Sequence, residues 1–285
     1  MKGKIFTIVI VLFMVAGVGI LLYPAISDYF AKISQTRVVE SYHEAVRHMD
    51  RTEAIEMLEA AQAYNVRLNN KYDRFWLEDE DHEEYEMQLN IDGRRIIGAL
   101  EISALGINMP IHHGTNEDVL LVGLGHLEGS SLPVGGLSTH TVITGHRGLP
   151  SSELLTNIDR LRTGDVFVIH ILGEKLAYQV DQIVTVDPED YEELEVRHGR
   201  DLATLLTCTP YGINTHRLLV RGERIENAEE IPVRRISTPG TIIPEDYRLV
   251  AVAVALFIAA VILLKIISVR VKKAKKKTPA KKGDK

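Results

Sequence analysis

The sequence predicts a mostly β protein: a closed β-barrel, preceded by a helical segment and flanked by two transmembrane helices. Seven short runs rich in β-branched residues follow one another between 94 and 230, separated by Gly, Pro, Asn and Asp. Strands at this density, without helical periodicity between them, favour a barrel over a doubly wound parallel sheet. Two apolar runs near the chain ends are each long enough to cross a bilayer.

The first apolar run, 5–23, has no charged residue and about the length that a membrane-spanning helix needs. We therefore assign 1–24 as an N-terminal transmembrane anchor. A cleaved signal peptide is the alternative. However, the run is longer than the apolar region of most signal peptides, and no clear small-x-small cleavage site follows Tyr23.

The second apolar run, 249–269, has sixteen uncharged residues before Lys265, which is close enough to the end of the run to reach the lipid headgroups. A basic tail at 270–285 follows directly, which is a stop-transfer pattern and argues against a buried core helix. Because both outer flanks are basic, the positive-inside rule predicts a two-pass protein of the cell membrane with both termini in the cytoplasm. Residues 25–248 then lie outside the cell, with 231–248 as a linker.

The predicted external segment is strongly acidic. It carries 21 of the 33 basic residues and 38 of the 39 acidic residues, a formal charge of −17. Nucleic-acid binding needs a basic face, so this segment is a poor candidate for it. The lysine-rich tail adjoins a membrane span and is better suited to anionic lipid. The sequence contains no metal-ligand motif and no phosphate-binding glycine loop, and we expect no metal or organic cofactor.

The region before the predicted barrel, 25–93, divides in two. Residues 36–68 lack Gly and Pro and are rich in Glu, Ala, Met and Leu, which predicts a helix. Residues 69–93 are polar and acidic, and they predict a loop with a short helical piece. Within the barrel region, LGEKLAY predicts a hairpin centred on Gly173 and Glu174.

Cys208 is the only cysteine in the chain and cannot form an internal disulfide, so in an exported domain it is a candidate reactive thiol. It ends the strand-like run 203–208, and Pro210 closes that run before Arg217 opens the next one. If the two strands pair, the thiol and the guanidinium lie side by side at one end of the sheet. A thiolate there can attack a carbonyl while a fixed cation stabilises the oxyanion.

His146 is the best candidate for the proton partner of the thiol. It ends a strand-like run between Gly145 and Gly148, which leaves the imidazole room to reach a cleft. By position alone, structural roles stay open, since a lone Cys is often a small core residue and an Arg is often a surface charge. A papain-like hydrolase is a further alternative, but there the Cys precedes the His, whereas His146 precedes Cys208.

Four segments resemble the sortase family of cysteine transpeptidases, and they occur in that family's order. TLLTCTPYGINTHRLLVRGER at 204–224 resembles the family signature, in which a Thr-Leu-x-Thr-Cys strand is followed after a loop by Arg. VITGHRGLP at 142–150 resembles its histidine segment. IGALEISALGINMPIHHG at 97–114 and GHLEGSSLPVGG at 125–136 resemble its earlier strands. The resemblance covers 94–224.

By this resemblance, Cys208 is the nucleophile, His146 is the general acid and base, and Arg217 stabilises the oxyanion or the substrate. The family's closed barrel is expected over 94–230. The implied reaction cleaves a Leu-Pro-x-Thr-Gly-type (LPxTG-type) sorting signal between Thr and Gly. The Thr carbonyl is then held as a thioester on Cys208 and passed to an amine.

The two-anchor layout and the motif TCTPYGINTHRLLVRG are most similar to the pilus-assembling class C sortases. The expected partners are then pilins or surface proteins that carry such sorting signals. The expected acceptor is a lysine amine of the next pilin. Two other functions remain open: a housekeeping-type sortase that attaches surface proteins to a cell-wall amine, and an inactive membrane scaffold. The intact candidate site argues against the scaffold.

Class C sortases usually carry an Asp-Pro-aromatic lid in the segment before the barrel. The corresponding stretch is Asp73-Arg74-Phe75-Trp76, with an arginine in place of the proline. We hypothesise that Asp73 pairs with Arg217. Phe75 or Trp76 would then shield the cysteine. An acidic surface loop is the alternative interpretation of the stretch.

Overall fold

The computed structural model of the chain describes residues 2–76, 78–91 and 93–226, together with 252, 254, 255 and 257. Apart from these last four positions, the predicted linker, second transmembrane span and basic tail lie outside the described residues. Residues 2–22 belong to one compact unit, and the described residues from Tyr23 to Glu226 belong to another, which contains the barrel.

The barrel has eight strands, and the closed barrel that the sequence predicts is confirmed. In chain order they are β1 (Ile96–Ile102), β2 (Ile107–His113), β3 (Leu124–His126), β4 (Thr139–Thr144), β5 (Val166–Ile171), β6 (Glu174–Val186), β7 (Asp201–Thr209) and β8 (His216–Ile225). They close in the order β1-β2-β3-β4-β7-β8-β6-β5. The pairs β2–β3 and β4–β7 are parallel and the other neighbours are antiparallel.

β3 is the strand that the runs of β-branched residues did not predict. It has three residues and a glycine at its centre, so it shows no alternation of apolar and polar residues. A Cβ at Gly125 would lie 2.3 Å from the carbonyl oxygen of Gly114, and the two backbones therefore approach too closely for a side chain. Close backbone packing, and not a side-chain pattern, defines this strand.

The β5–β6 hairpin turns one residue earlier than predicted. Ile171 pairs with Glu174, so Leu172 and Gly173 form the two-residue loop. Both have positive φ, 46° and 87°, as the twist-matched type I′ turn requires. Centring the turn on Gly173 and Glu174 was wrong because Leu172 accepts the left-handed conformation and Glu174 already belongs to the strand.

Side chains fill the interior of the barrel. In β5, Phe167, Ile169 and Ile171 are fully buried and alternate with half-buried residues, as expected for a strand with one face toward a core. Phe167 stacks on Tyr178 with 5.6 Å between ring centroids. Gly222 makes room for this pair, since a Cβ there would lie 2.9 Å from the Phe167 ring.

The predicted helix at 36–68 is two helices that meet at Met49 and Asp50. Asp50 caps the second helix, because its carboxylate accepts a hydrogen bond from the backbone N–H of Thr52 at 2.7 Å. The short helical piece expected within 69–93 is present as a third helix. The helices are α1 (Lys2–His48), α2 (Arg51–Asn69), α3 (Asp79–Met87) and α4 (Glu117–Val122).

Among the described helices, α1 is the one long and apolar enough to cross a membrane. An 18-residue window within Ile8–His48 reaches a mean hydropathy of 2.6, and none of it is buried. This length and composition fit an N-terminal anchor. The later part of α1 packs on the barrel, where the Tyr42 hydroxyl donates to the Ile97 carbonyl at 3.2 Å and accepts from the Leu172 N–H at 2.9 Å.

Two buried side chains fasten α2 and α3 to the barrel. The Asn65 amide accepts from the Leu132 N–H at 2.7 Å and donates to the Leu132 carbonyl at 3.1 Å. In α3, the fully buried Tyr85 hydroxyl accepts from the Gly114 N–H at 2.9 Å and lies 3.0 Å from His126 Nδ1. The segment between these helices, residues 70–76, is therefore held at both ends, and we call it the strap.

Replacement of Asn65 by Ala is expected to destabilise the protein by about 1–3 kcal/mol, because it leaves the buried Leu132 N–H without a partner and removes one of the two hydrogen bonds to the Leu132 carbonyl. Asn69→Ala is the matched control on the same helix. Asn69 is exposed and makes one hydrogen bond, to the Ser138 carbonyl at 2.7 Å, so its loss is expected to cost less than about 1 kcal/mol. Urea unfolding of the detergent-solubilised chain, followed by circular dichroism, measures both. Equal losses would contradict the anchoring role of Asn65.

Candidate active site

Two strand pairings bring Cys208, His146 and Arg217 to one edge of the barrel. β4 and β7 run parallel with Thr144 opposite Leu206, and His146 and Cys208 each follow two residues later. β7 and β8 run antiparallel with Cys208 directly opposite Arg217. Residues opposite each other in such a pair have side chains on the same face. The strands of the cysteine and the arginine thus pair as the sequence predicts.

All three residues line one cavity of about 370 Å³, within the size range of small-molecule and peptide pockets. Cys208 is a half-buried free thiol. The other lining residues come from α4 and the loop before it, from strands or residues next to them, and from the β6–β7 connection: Thr115, Leu120, Leu127, Thr144, Gly145, Val186, Pro188, Asp190, Tyr191, Leu194, Leu206 and Leu219.

One wall of the cavity is apolar. A small buried cluster of Val142, Leu194 and Leu219 lies behind it, and Phe75, Leu127, Val186 and Leu206 pack against that cluster. Apolar walls keep water away from the thiol and the guanidinium. Electrostatic interactions are stronger in such surroundings than in bulk water.

The Arg217 guanidinium keeps most of its donors available to a ligand. Nη1 donates to the carbonyl of His216 at 3.1 Å and, more weakly, to that of Asn214 at 3.4 Å. Within the described part of the chain, no carboxylate forms an ion pair with it. An arginine held in this way presents a fixed positive charge and several N–H groups to an oxygen atom in the cavity.

The backbone before His146 is fixed against β7. The Thr207 hydroxyl donates to the Gly145 carbonyl at 2.7 Å. A Cβ at Gly145 would lie within 3 Å of the side chains of Leu124 and Leu155, so glycine is needed here for close packing and not for a turn. Because the position of Gly145 is fixed, so is the direction from which His146 enters the site.

A turn in the β6–β7 connection, residues 192–195, borders the apolar wall. His140 Nδ1 donates to the Glu195 carbonyl at 2.9 Å, and its Nε2 accepts from the Thr204 hydroxyl at 2.7 Å. Since a carbonyl can only accept, the hydrogen lies on Nδ1. Burial lowers the pKa of His140 to about 4, so the ring is neutral at pH 7 and holds the turn against β4 and β7.

Arg74 occupies the buried centre of the strap. Its side chain is 5 % exposed, Nη2 donates to the Leu194 carbonyl at 3.0 Å, and the same nitrogen lies 3.0 Å from a carboxylate oxygen of Glu195. The guanidinium carbon also lies 4.8 Å from the centre of the Phe75 ring. Sequence reasoning did not identify Arg74, His140 or Glu195 as residues of the site region. The only signal was the arginine that replaces the proline of the lid motif.

The three suggested lid residues have different positions. Phe75 packs beside the cavity wall, with its ring centre 5.3 Å from that of Tyr191. Trp76 is 74 % exposed. Asp73 is exposed as well, and the ion pair suggested between Asp73 and Arg217 is not among the contacts of the described residues. Arg74 takes the buried position of the strap and leaves Asp73 in solvent.

Comparison with known proteins identifies the family to which this fold belongs. The chain matches the family model of the sortase domain over residues 100–225. Sortase A of Bacillus anthracis is 23 % identical over 224 residues, which cover 79 % of this chain and 96 % of that protein. The crystal structure of sortase C1 from Streptococcus agalactiae is 45 % identical, with a TM-score of 0.64 over 67 % of this chain and 99 % of that chain. The chain belongs to the sortase family.

As a sortase, it is a cysteine transpeptidase, and its structural similarity is to class C members. Sortase C of Streptococcus pneumoniae is 48 % identical, with a TM-score of 0.60 over 67 % of this chain and 97 % of that chain. Sortase C of Clostridium perfringens is 41 % identical, with a TM-score of 0.59 over 67 % of this chain and 99 % of that chain. The latter was solved with the C-terminal cell wall sorting motif.

Acidification is expected to destabilise this sortase between pH 6.5 and 4. Burial lowers the pKa of His112, His126 and His140 from 6.5 to about 4. The unfolded chain binds more protons in this window, so stability is complete above pH 6.5 and falls as the pH drops. Urea midpoints measured from pH 7 to pH 5 test this. His140→Gln is expected to flatten the dependence relative to His48→Gln at an exposed position, and a wild-type midpoint that does not change with pH would contradict it.

Proposed function

We propose that this sortase cleaves an LPxTG-type sorting signal between Thr and Gly and transfers the acyl group to a lysine amine of a pilin. The observation that carries the proposal is the meeting of Cys208, Arg217 and His146 at the edge of one cavity. The similarity to class C sortases, one of them solved with a sorting motif, supports the choice of substrate and of acceptor.

In the first half of the proposed reaction, the Cys208 thiolate attacks the carbonyl carbon of the threonine. Arg217 donates hydrogen bonds to the oxygen as it becomes negative. The carbon–nitrogen bond then breaks, and His146 gives its proton to the departing glycine amine. The threonine carbonyl remains as a thioester on Cys208.

In the second half, a neutral amine attacks the thioester and gives a proton to His146. The thiolate of Cys208 leaves, which restores the starting state. One amide bond is broken and one is formed, so the cycle consumes no oxidant or reductant. The apolar wall with Leu127, Leu194 and Leu219 lowers the amount of water near the thioester, which favours transfer to the amine over hydrolysis.

The apolar α1 helix supports a membrane location for the catalytic domain. We place the anchor at 1–24, the helical and lid-like segment at 25–93, the catalytic barrel at 94–230 and a second span at 249–269. Both termini would lie in the cytoplasm, and the barrel would face outward. This topology brings the site to the surface where exported proteins emerge from the membrane.

The strap is the proposed lid of this site. Phe75 supports the proposal, because it packs against the same apolar cluster that backs the cavity wall. Asp73 and Trp76 would join the lid only after a rearrangement, since both are exposed in this structure. Removal of the Phe75 ring is therefore expected to open the site more than removal of the Trp76 ring.

Product analysis identifies the acceptor. The full-length enzyme is incubated with an LPxTG peptide and equal concentrations of two amines: a peptide with a free lysine side chain and a cell-wall stem peptide. Mass spectrometry is expected to show mainly an isopeptide to the lysine side chain. If the wall peptide were the sole acceptor, the enzyme would be a housekeeping-type sortase. Hydrolysis alone would contradict transfer.

Arg217→Ala is expected to reduce kcat/KM for peptide cleavage by about 10²–10³-fold, as the loss of an oxyanion donor does in other acyl-transfer enzymes. Arg217→Lys keeps the charge without the planar pair of donors, and its kcat/KM is expected to lie between those of the wild type and Arg217→Ala. Arg224→Ala removes an arginine from the same strand, away from the cavity lining, and serves as control. A loss of less than about threefold in Arg217→Ala would contradict the proposed role.

A further inference from the structure

The strap and the 192–195 turn are joined by the Arg74 guanidinium, which contacts both the Leu194 carbonyl and the Glu195 carboxylate at 3.0 Å. We propose that Arg74 is a positioning residue: it ties the strap to this turn, so that the strap and one wall of the cavity open and close as a unit. The inference rests on the proposed role of the cavity as the site of the reactive thiol.

Because the Arg74 guanidinium is buried, loss of only one of its two partners is energetically costly. Arginine keeps its charge at any ordinary pH, and a buried charge is costly unless it is paired and hydrogen-bonded. The Glu195 carboxylate is 57 % exposed and supplies the opposite charge at the surface, while the Arg74 side chain is 5 % exposed. The strap can therefore separate from the turn only if the guanidinium loses both partners and returns to water, and while the contact lasts the two move together.

The turn is itself fastened to the barrel. Leu194 is 3 % exposed, His140 on β4 holds the Glu195 carbonyl, and within the connection the Glu193 carboxylate accepts from Arg197 at 2.8 Å. A second arginine, Arg221 on β8, lies 3.5 Å from the same carboxylate. Because β4 and β8 hold the turn in this way, the Arg74 contact fixes the strap relative to the barrel strands.

The turn that Arg74 contacts also forms part of the cavity lining. Leu194 and Tyr191 line it, and Phe75, the neighbour of Arg74, packs on the Tyr191 ring. The strap backbone is also close to the loop after β3, where a Cβ at Gly129 would lie 2.2 Å from the Arg74 carbonyl oxygen. Removal of the guanidinium is therefore expected to loosen the strap and the Tyr191–Leu194 wall at the same time.

Alkylation of Cys208 measures access to the cavity without requiring catalysis. As Cys208 is the only cysteine, the loss of free thiol when the full-length protein in detergent reacts with iodoacetamide reports on this site alone. The rate is measured from pH 5 to pH 10. The plateau at high pH reports access to the thiolate, and the midpoint of the profile reports its ionisation.

Arg74→Ala is expected to raise the plateau rate about tenfold, the factor that corresponds to loss of one charge-assisted hydrogen bond, without moving the midpoint. Glu195→Gln is expected to raise it less, because the Leu194 carbonyl still accepts from Arg74. The double variant is expected to resemble Arg74→Ala alone, since both substitutions break one contact. Arg162→Ala removes an exposed arginine outside the strap, the turn and the cavity lining, and its rate is expected to match that of the wild type.

Hydrogen exchange tests whether the strap and the wall move together. Amide protection in 71–76 and in 191–195 is expected to fall in Arg74→Ala, while protection in β7 and β8 is retained. Loss of protection in the strap alone would overturn the coupling. Equal alkylation plateaus in Arg74→Ala, Glu195→Gln and the wild type, or an equal rise in Arg162→Ala, would overturn the tether.

Failure of the tether and failure of the proposed function give different results. A Cys208 that reacts faster with iodoacetamide in Arg74→Ala but forms no product with LPxTG peptide would support the tether and count against the substrate. Peptide transfer with alkylation rates that are the same in all variants would support the function and overturn the tether.

Discussion

The register of β7 against its two neighbours determines the geometry of the site. Side chains alternate between the faces of a strand, so a shift of one residue in either pairing would turn Cys208 away from Arg217 or from the end of β4. The parallel pairing with β4 brings the histidine segment to the same edge, and the antiparallel pairing with β8 places the arginine opposite the thiol. The buried side chains within the barrel fix this register, because a slipped strand would expose its apolar face.

The positions of the helices and of the strap also depend on contacts with the barrel. Asn65 and Tyr85 attach α2 and α3 to residues that follow β3 and β2, and the strap is thereby stretched across the region beside the cavity. His140, on β4, holds the 192–195 turn from the barrel side, and Arg74 holds it from the strap side. One continuous set of hydrogen bonds thus runs from the barrel strands to the strap that flanks the reactive edge.

Local pattern and motif resemblance explain what the sequence predicts. The β-branched runs are long enough to identify most strands. Cys208, Arg217 and His146 lie at the ends of those runs, which together with the motif resemblance predicts that they meet at one edge of the barrel. Other features depend on tertiary contacts that no local pattern reveals. β3 is defined by a close backbone approach at Gly125, and the break between α1 and α2 by one side-chain cap at Asp50.

Arg74 is the clearest case of a residue whose position depends on tertiary contacts that the local sequence does not reveal. An arginine within an acidic, polar stretch is usually a solvated surface residue, and in the lid motif it stands where proline is expected. The structure buries it because Leu194 and Glu195, about 120 residues later in the chain, supply a carbonyl and a carboxylate in one place. No property of 70–76 taken alone indicates this partner.

The central claim, that Cys208 carries the acyl group, is tested most directly by intact-mass analysis of the full-length protein mixed with LPxTG peptide and rapidly acidified. The account predicts a mass increase equal to the peptide up to its threonine, located on Cys208 and absent from Cys208→Ala. Arg74→Ala should show the same adduct at a higher level. An adduct on another residue, or none in either the wild type or Arg74→Ala, would contradict the account.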